Sequence, residues 1–370
     1  MDSLPQEIIN KIIDNLPRAS LCSSSLVARR WRKRSQQHAL STIRLYTESM
    51  AKSWYACTQS DPGGISSYVQ LAKFAHIDKW TDPALFGRVL GNSNSLTALW
   101  IMDTGMPNEV PEHVSRGELG KRITTLYLRS LRCGLPTLVS TIVAFPNLQK
   151  LFVDNFVATS REAPSTYPVL PQRGPLDSLR VVACQGGVAG AIANLQFTSR
   201  RLILDVKTQN IQRLLTFSPV TVVELELRGV CSTCEDHENI NDDFIDFTKQ
   251  STSHAISLPP FPALTSLKIF VSGRPPSPHL VTTLSSISSV PALVSITLER
   301  WSQPNPGSDI PTTWNSLDGW LAWVAKNATI EGGLVLTLAG WPENLAPEVL
   351  PKFREVGKIT TTPLYPKTRQ

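Results

Sequence analysis

From Leu96 onward one short apolar spacing keeps returning: an apolar residue, a second three positions on, and a third two further. The copies stand at Leu96/Leu99/Ile101, Ile123/Leu126/Leu128, Leu148/Leu151/Val153 and Leu176/Leu179/Val181. A weaker one follows at Leu202/Leu204, then Val222/Leu225/Leu227, Leu264/Leu267/Ile269, Leu293/Ile296/Leu298 and Leu336/Leu338. The first four begin at 96, 123, 148 and 176, steps of 27, 25 and 28 residues. Apolar residues two apart belong to a strand with one buried face. Helix-like runs lie between the copies, at Leu135 to Phe145, Ile211 to Phe217, Leu280 to Ile287 and Leu317 to Val324. A unit of strand, turn, helix and return cannot bury its leucines alone, so the pattern demands stacked neighbours.

Steps of this size are those of a leucine-rich repeat, and the stretch resembles a leucine-rich-repeat solenoid in degenerate form. The resemblance implies an α/β fold with a curved parallel sheet over residues 96–345; independent α/β units around a parallel sheet are the alternative. The asparagine that normally follows each strand is mostly absent, Asn155 being the nearest candidate, and the step of 42 from 222 to 264 marks an insertion at 231–260. Between the last two anchors of each copy, one residue points away from the core. Those residues are Trp100, Tyr127, Phe152, Arg180, Ile203, Glu226, Lys268, Thr297 and Thr337. Aromatic clusters are frequent binding anchors, so Trp100, Tyr127 and Phe152, with Arg129 and Lys150 beside them, form the expected target-binding site.

The first 45 residues have a different character. Ser3 stands three residues before Gln6, a capping-box spacing, and Pro5 falls where a helix tolerates proline. Ile8, Ile9, Ile12, Ile13 and Leu16 recur at helical spacing up to Pro17. A second short helix is expected from about Ser20 and a third carrying Leu26, Val27 and Trp31. So short a unit buries little surface, and apolar residues beyond one stripe leave a face for a partner. This stretch resembles an F-box: Leu4, Pro5, Glu7 and Ile8 match its opening, and Leu26, Val27, Arg29 and Trp31 its third helix. The serine-rich run Ser20 to Ser25 departs from that pattern. The chain as a whole resembles fungal-type F-box proteins with degenerate leucine-rich repeats. That resemblance implies docking to a Skp-type adaptor of a cullin–RING ubiquitin ligase through Leu4, Pro5, Ile8, Ile9, Ile12, Leu26, Val27 and Trp31. The other reading is an ordinary three-helix cap on a larger domain.

Residues 46–95 are expected to be a helical linker, from the loose helical spacing of Trp54, Tyr55, Tyr68, Val69, Leu71, Phe74, Ile77 and Trp80. Residues 346–370 are expected to form a cap, with a helix near Pro347 to Val356, and a polar mobile tail from Lys358. In the insertion, Cys231 and Cys234 have C-x-x-C spacing with His237 and His254 nearby, which falls short of four regular zinc ligands. An acidic solvated loop suits Glu235 to Asp246 better. Gly186, Gly187 and Gly190 lack the first glycine of a dinucleotide loop and read as a tight turn before a helix.

Composition bounds the rest. Hydrophobic content of 41% and charged content of 18% suit a globular chain. No signal peptide and no membrane-spanning run are expected, and the sparse cysteines suit free thiols of the cytoplasm or nucleus. Asn327-Ala328-Thr329 fits a glycosylation sequon, idle in such a compartment. Of the net +6, residues 1–45 hold +5, concentrated at Arg29, Arg30, Arg32, Lys33 and Arg34. Aromatics are not interleaved with these cations as single-strand binders require, so nucleic acid is not the expected partner; an acidic adaptor is. The six histidines (His38, His76, His113, His237, His254, His279) are scattered, with no nucleophile elbow or phosphate loop. Neither an enzyme nor a cofactor is expected. Two functions remain: a substrate receptor that holds a target protein for ubiquitin transfer, or an interaction scaffold uncoupled from it.

Overall fold

The computed structural model describes residues 4–60, 64–77, 80–103, 118–159, 174–205, 208, 211–217, 219–228, 257–271, 278–287, 289–300, 312–328, 333–341 and 350–362. The Cys231/Cys234 pair with His237 and His254, Ser3 of the expected capping box, and the tail beyond Thr362 lie outside them. The chain divides into two compact units, Met1–Pro168 and Val169–Gln370.

Unit 1 opens with three helices, α1 (Gln6–Asp14), α2 (Arg18–Val27) and α3 (Arg29–Leu40). Pro5 and Pro17 are the N-caps of α1 and α2, and neither start has a side-chain cap bond. Proline fixes φ and has no N–H to leave unsatisfied, so it starts a helix without such help. The second helix begins two residues before the expected Ser20. Leu26 and Val27 end α2 rather than opening α3, because Ala28 is extended at φ −154°, ψ 154°. The serine run is helical all the same, with the Ser24 hydroxyl donating to the Ser20 carbonyl at 2.7 Å.

Next come β1 (Thr42–Leu45), α4 (Glu48–Ser60), a 3-10 turn at Ile65–Tyr68, β2 (Leu71–Ala75), α5 (Pro83–Gly91) and β3 (Ala98–Met102). Then follow β4 (Thr125–Arg129), β5 (Arg132–Cys133), the Leu135–Val143 helix, β6 (Lys150–Asp154) and β7 (Val157–Ala158). Strands β1, β2, β3, β4 and β6 pair in parallel in that order, and β5 pairs with β7. The stretch 46–95 is therefore not a purely helical linker. It contains a strand, and the parallel pairing starts at Thr42. The apolar triplet itself extends back to Val69/Ala72/Phe74 and Leu40/Ile43/Leu45.

Among its described residues, unit 2 holds seven parallel strands: β8 (Leu176–Val182), β9 (Ser199–Asp205), β10 (Glu224–Arg228), β11 (Ser266–Val271), β12 (Ser295–Arg300), β13 (Val335–Ala339) and β14 (Lys358–Thr362). Each pairs with the next. Helices at Val188–Asn194, Ile211–Phe217, Pro278–Ser285, Thr312–Asn327 and Pro351–Arg354 alternate with them. The Gly186-Gly187 pair is the expected turn: both have positive φ, and Gly187 caps the Val188–Asn194 helix. The final strand replaces the expected mobile tail at 358–362. Three β-branched threonines after Ile359 favour a pleated edge, and Thr360 shares a 3.0 Å hydroxyl contact with Thr337 of β13.

The sequence triplets become buried rows. In unit 1 one row is Ile43, Ala72, Leu99, Leu126 and Leu151, and the next Leu45, Phe74, Ile101, Leu128 and Val153, all buried. Unit 2 repeats this with Leu202, Leu225, Leu267, Ile296 and Leu336. A recurring polar joint frames several of the strands. The Ser41 carbonyl accepts from the amides of Gln70 and Leu71, that of Gln70 from Thr97 and Ala98, and that of Thr97 from Thr124 and Thr125. Val223 accepts likewise from Thr265 and Ser266, so the 42-residue step leaves the frame intact.

At the other end of the strand, one residue turns left-handed. His76, Asp103, Ser130 and Asn155 follow β2, β3, β4 and β6 with φ of 58°, 46°, 51° and 50°. Ala183 and Gly340 stand in the same place after β8 and β13. The amides of His76, Asp103 and Ser130 donate to the last carbonyl of the next strand, at Met102, Arg129 and Asp154. The corner is a backbone device, which is why the asparagine that normally follows each strand of a leucine-rich repeat is not needed.

Candidate functional site

On α1, four isoleucines form two pairs with i, i+4 spacing, about 100° apart around the helix. Ile9 and Ile13 turn inward and form a small core with Leu21, against which Leu16, Trp31 and Ala39 pack. Ile8 and Ile12 turn outward, 42% and 38% exposed, beside exposed Leu4 and Pro5. Leu26 and Val27, at the end of α2, are 80% and 62% exposed. Two of the expected docking residues thus change role: Ile9 is 1% exposed and Trp31 is half-buried against the same core, so both hold the module together. The other six present apolar surface to solvent.

The basic helix α3 clamps α1 from both ends. Arg34 donates to both Asp14 carboxylate oxygens at 2.8 Å, and His38 Nε2 lies 2.8 Å from the first of them. At the other end, Arg30 donates to the Leu4 carbonyl at 2.9 Å and to Gln6 Oε1 at 3.3 Å. The Arg34 hydrogen bonds hold the Asp14 carboxyl below its usual range. Arg29, Arg32 and Lys33 stay exposed. The cationic run thus divides between positioning α1 and presenting charge.

A second surface lies on the outward side of the strands of unit 1. Trp100, Tyr127 and Phe152 are in register on β3, β4 and β6, half-exposed and in ring contact. The Trp100 and Tyr127 ring centres are 4.8 Å apart, and those of Tyr127 and Phe152 5.9 Å. Tyr127 donates its hydroxyl to buried Asp154 at 3.0 Å. Arg129 and Lys150 are exposed on the same strands. Strand alternation set the three aromatics on the outward side, with Arg129 and Lys150 beside them. It did not reveal Lys73, whose ammonium sits 3.5 Å from the Trp100 ring centre, because the aromatics around β2 fall at helical spacing.

The outward residues of unit 2 behave otherwise. Glu226 is buried beside Arg201 and Arg228, at 3.5 and 2.6 Å, and Lys268 pairs with Glu299 at 2.5 Å. Arg228 and Lys268 both lie over the Phe270 ring. Ile203, in register between Arg180 and Glu226, is buried despite its outward position.

A comparison with curated proteins finds no match to the chain. A comparison with family models finds one over its first helices, where the core of Ile9, Ile13 and Leu21 leaves Leu4, Ile8 and Ile12 facing outward. Residues 1–40 match the model described as the F-box domain, so the chain carries an N-terminal F-box domain that ends just before β1.

Proposed function

We propose that this protein is the substrate-recognition subunit of an SCF-type cullin–RING ubiquitin ligase. Its F-box docks a Skp-type adaptor through Leu4, Pro5, Ile8, Ile12, Leu26 and Val27, and the outward face of the unit 1 strands holds a target protein. The observation that carries the reading is the coincidence of an F-box match with outward apolar residues on α1. The remaining exposed area of Ile8 and Ile12, buried on a partner, contributes about 1 kcal/mol each. The receptor's action is positional: it raises the local concentration of target lysines near a ubiquitin-charged enzyme supplied by other subunits. The chain performs no bond chemistry itself. Free thiols at Cys57, Cys133 and Cys184 support a place in the cytoplasm or nucleus. Among the described residues, no helix is long and apolar enough to cross a membrane.

Affinity purification of the full chain with quantification of bound adaptor and cullin tests the reading. Recovery of both supports it. Adaptor without cullin would make the chain a scaffold, and recovery of neither would overturn it.

A further inference from the structure

In unit 1, the outward residues of β1, β2, β3, β4 and β6 include one continuous cross-strand row: Arg44, Lys73, Trp100, Tyr127 and Phe152. Lys150 stands two residues before Phe152 and Arg129 two after Tyr127, so cations flank the aromatic part on either side and continue the row beyond it. Arg44, Arg129 and Lys150 are exposed. Among the described residues, no carboxylate lies within ion-pair distance of any of the three. The carboxylate of the neighbouring row, Asp154, is buried and accepts the Tyr127 hydroxyl. Unit 2 is the contrast: there Arg201, Arg228 and Lys268 each meet a glutamate of their own face. On the outward strand faces, then, the cations beside the aromatic row lack the matching carboxylates that Arg201, Arg228 and Lys268 have.

We propose that this face binds an extended acidic peptide segment of a partner protein. Its carboxylates meet Arg44, Arg129 and Lys150, and a bulky apolar side chain between them lies against Trp100, Tyr127 and Phe152. Five strands spaced about 4.8 Å apart span about 19 Å, the length of about six extended residues. The ring geometry selects peptide over nucleic acid. Bases need open ring faces to stack on. Here the rings meet one another at 52° and 67°, and Lys73 sits over Trp100. Ring edges carry partial positive charge and suit carboxylates and aliphatic groups. The inference deepens the substrate-receptor reading and rests on it for the peptide's origin in a ligase target.

The test selects a random 12-residue phage-displayed peptide library on the full chain bound to its adaptor. The strongest selected peptide is then measured by fluorescence anisotropy at about 0.15 M and 0.5 M salt, beside a fluorescent 30-nucleotide oligo(dT). Selected peptides are expected to pair Asp or Glu with Phe, Leu or Ile, and to weaken at the higher salt. Arg129→Glu with Lys150→Glu is expected to cost at least about tenfold in affinity, and Trp100→Ala about thirtyfold. Arg213→Glu, an exposed charge on the Ile211–Phe217 helix, is expected to leave affinity unchanged. Selection without acidic enrichment, unchanged binding by the double variant, or retention of oligo(dT) in place of the peptide would each overturn the inference. Adaptor recovery from the same variants reads the substrate-receptor proposal separately, because none of these residues lies in residues 1–40.

Discussion

Asp14, the last residue of α1, and Glu48, the first of α4, each tie two elements together through a carboxylate. Arg34 and His38 hold the first. The Thr81 hydroxyl and amide, with Lys52, hold the second and lower its pKa to about 2. Both folded values lie below the unfolded ones, so each contribution is complete above the ordinary carboxylate range of about 4 and is lost as pH falls through the folded value. The melting-temperature gap between wild type and Glu48→Gln is therefore expected to be full at about pH 6 and to close between about pH 4 and 2. A gap that stays constant with pH would show that the tie does not depend on the carboxylate's charge. Residue-scale roles on α1 were only half legible. Two apolar i, i+4 pairs announce two apolar faces, but adjacent isoleucines carry no mark of which pair meets Leu21.

The strand-end corner is the element that repeats most faithfully, and its rule is conformational rather than chemical. His, Asp, Ser, Asn and Ala all occupy it at φ near 50°. Asn155→Gly is expected to change stability by no more than about 0.5 kcal/mol, whereas Asn155→Val costs about 2 kcal/mol, since β-branched residues resist the left-handed region. Denaturant unfolding of the two variants checks this, and equal effects would contradict it. The last helix depends on a borrowed cap. Asp318, buried on the Thr312–Asn327 helix, accepts the amides of Lys352 and Phe353 at 3.0 and 2.8 Å. Asp318→Ala leaves two donors unsatisfied, with an expected loss of about 2–4 kcal/mol and faster hydrogen exchange at those amides. Nearby, Gly357 has no room for a side chain, because a Cβ there would run into the Phe353 ring.

At the scale of the molecule, apolar spacing exposed most of the parallel-strand plan, because each triplet reports a buried row directly. It failed where another signal overlaid it. Val69/Ala72/Phe74 follows the rule, but Ala72 is small and the surrounding aromatics fall at helical spacing. The closing strand at Lys358–Thr362 has Ile359 opposite Leu336 but Thr361 opposite Leu338, so with one anchor polar its pairing with β13 was hidden. The proposed docking surface was legible as a stretch but not as a face, since that required the α1 orientation set by Asp14, Arg34 and Arg30.

That orientation is the central claim: Ile8 and Ile12 face outward, where the proposed adaptor docks, while Ile9 and Ile13 hold the module together. The most direct measurement is quantitative co-purification of a Skp-type adaptor with wild type and with Ile8→Glu/Ile12→Glu, alongside circular dichroism and thermal melts of both. Placing two carboxylates in a dry interface is expected to lower adaptor binding at least about a hundredfold while the fold persists. Full-strength recovery of the adaptor by that folded double variant would contradict the account.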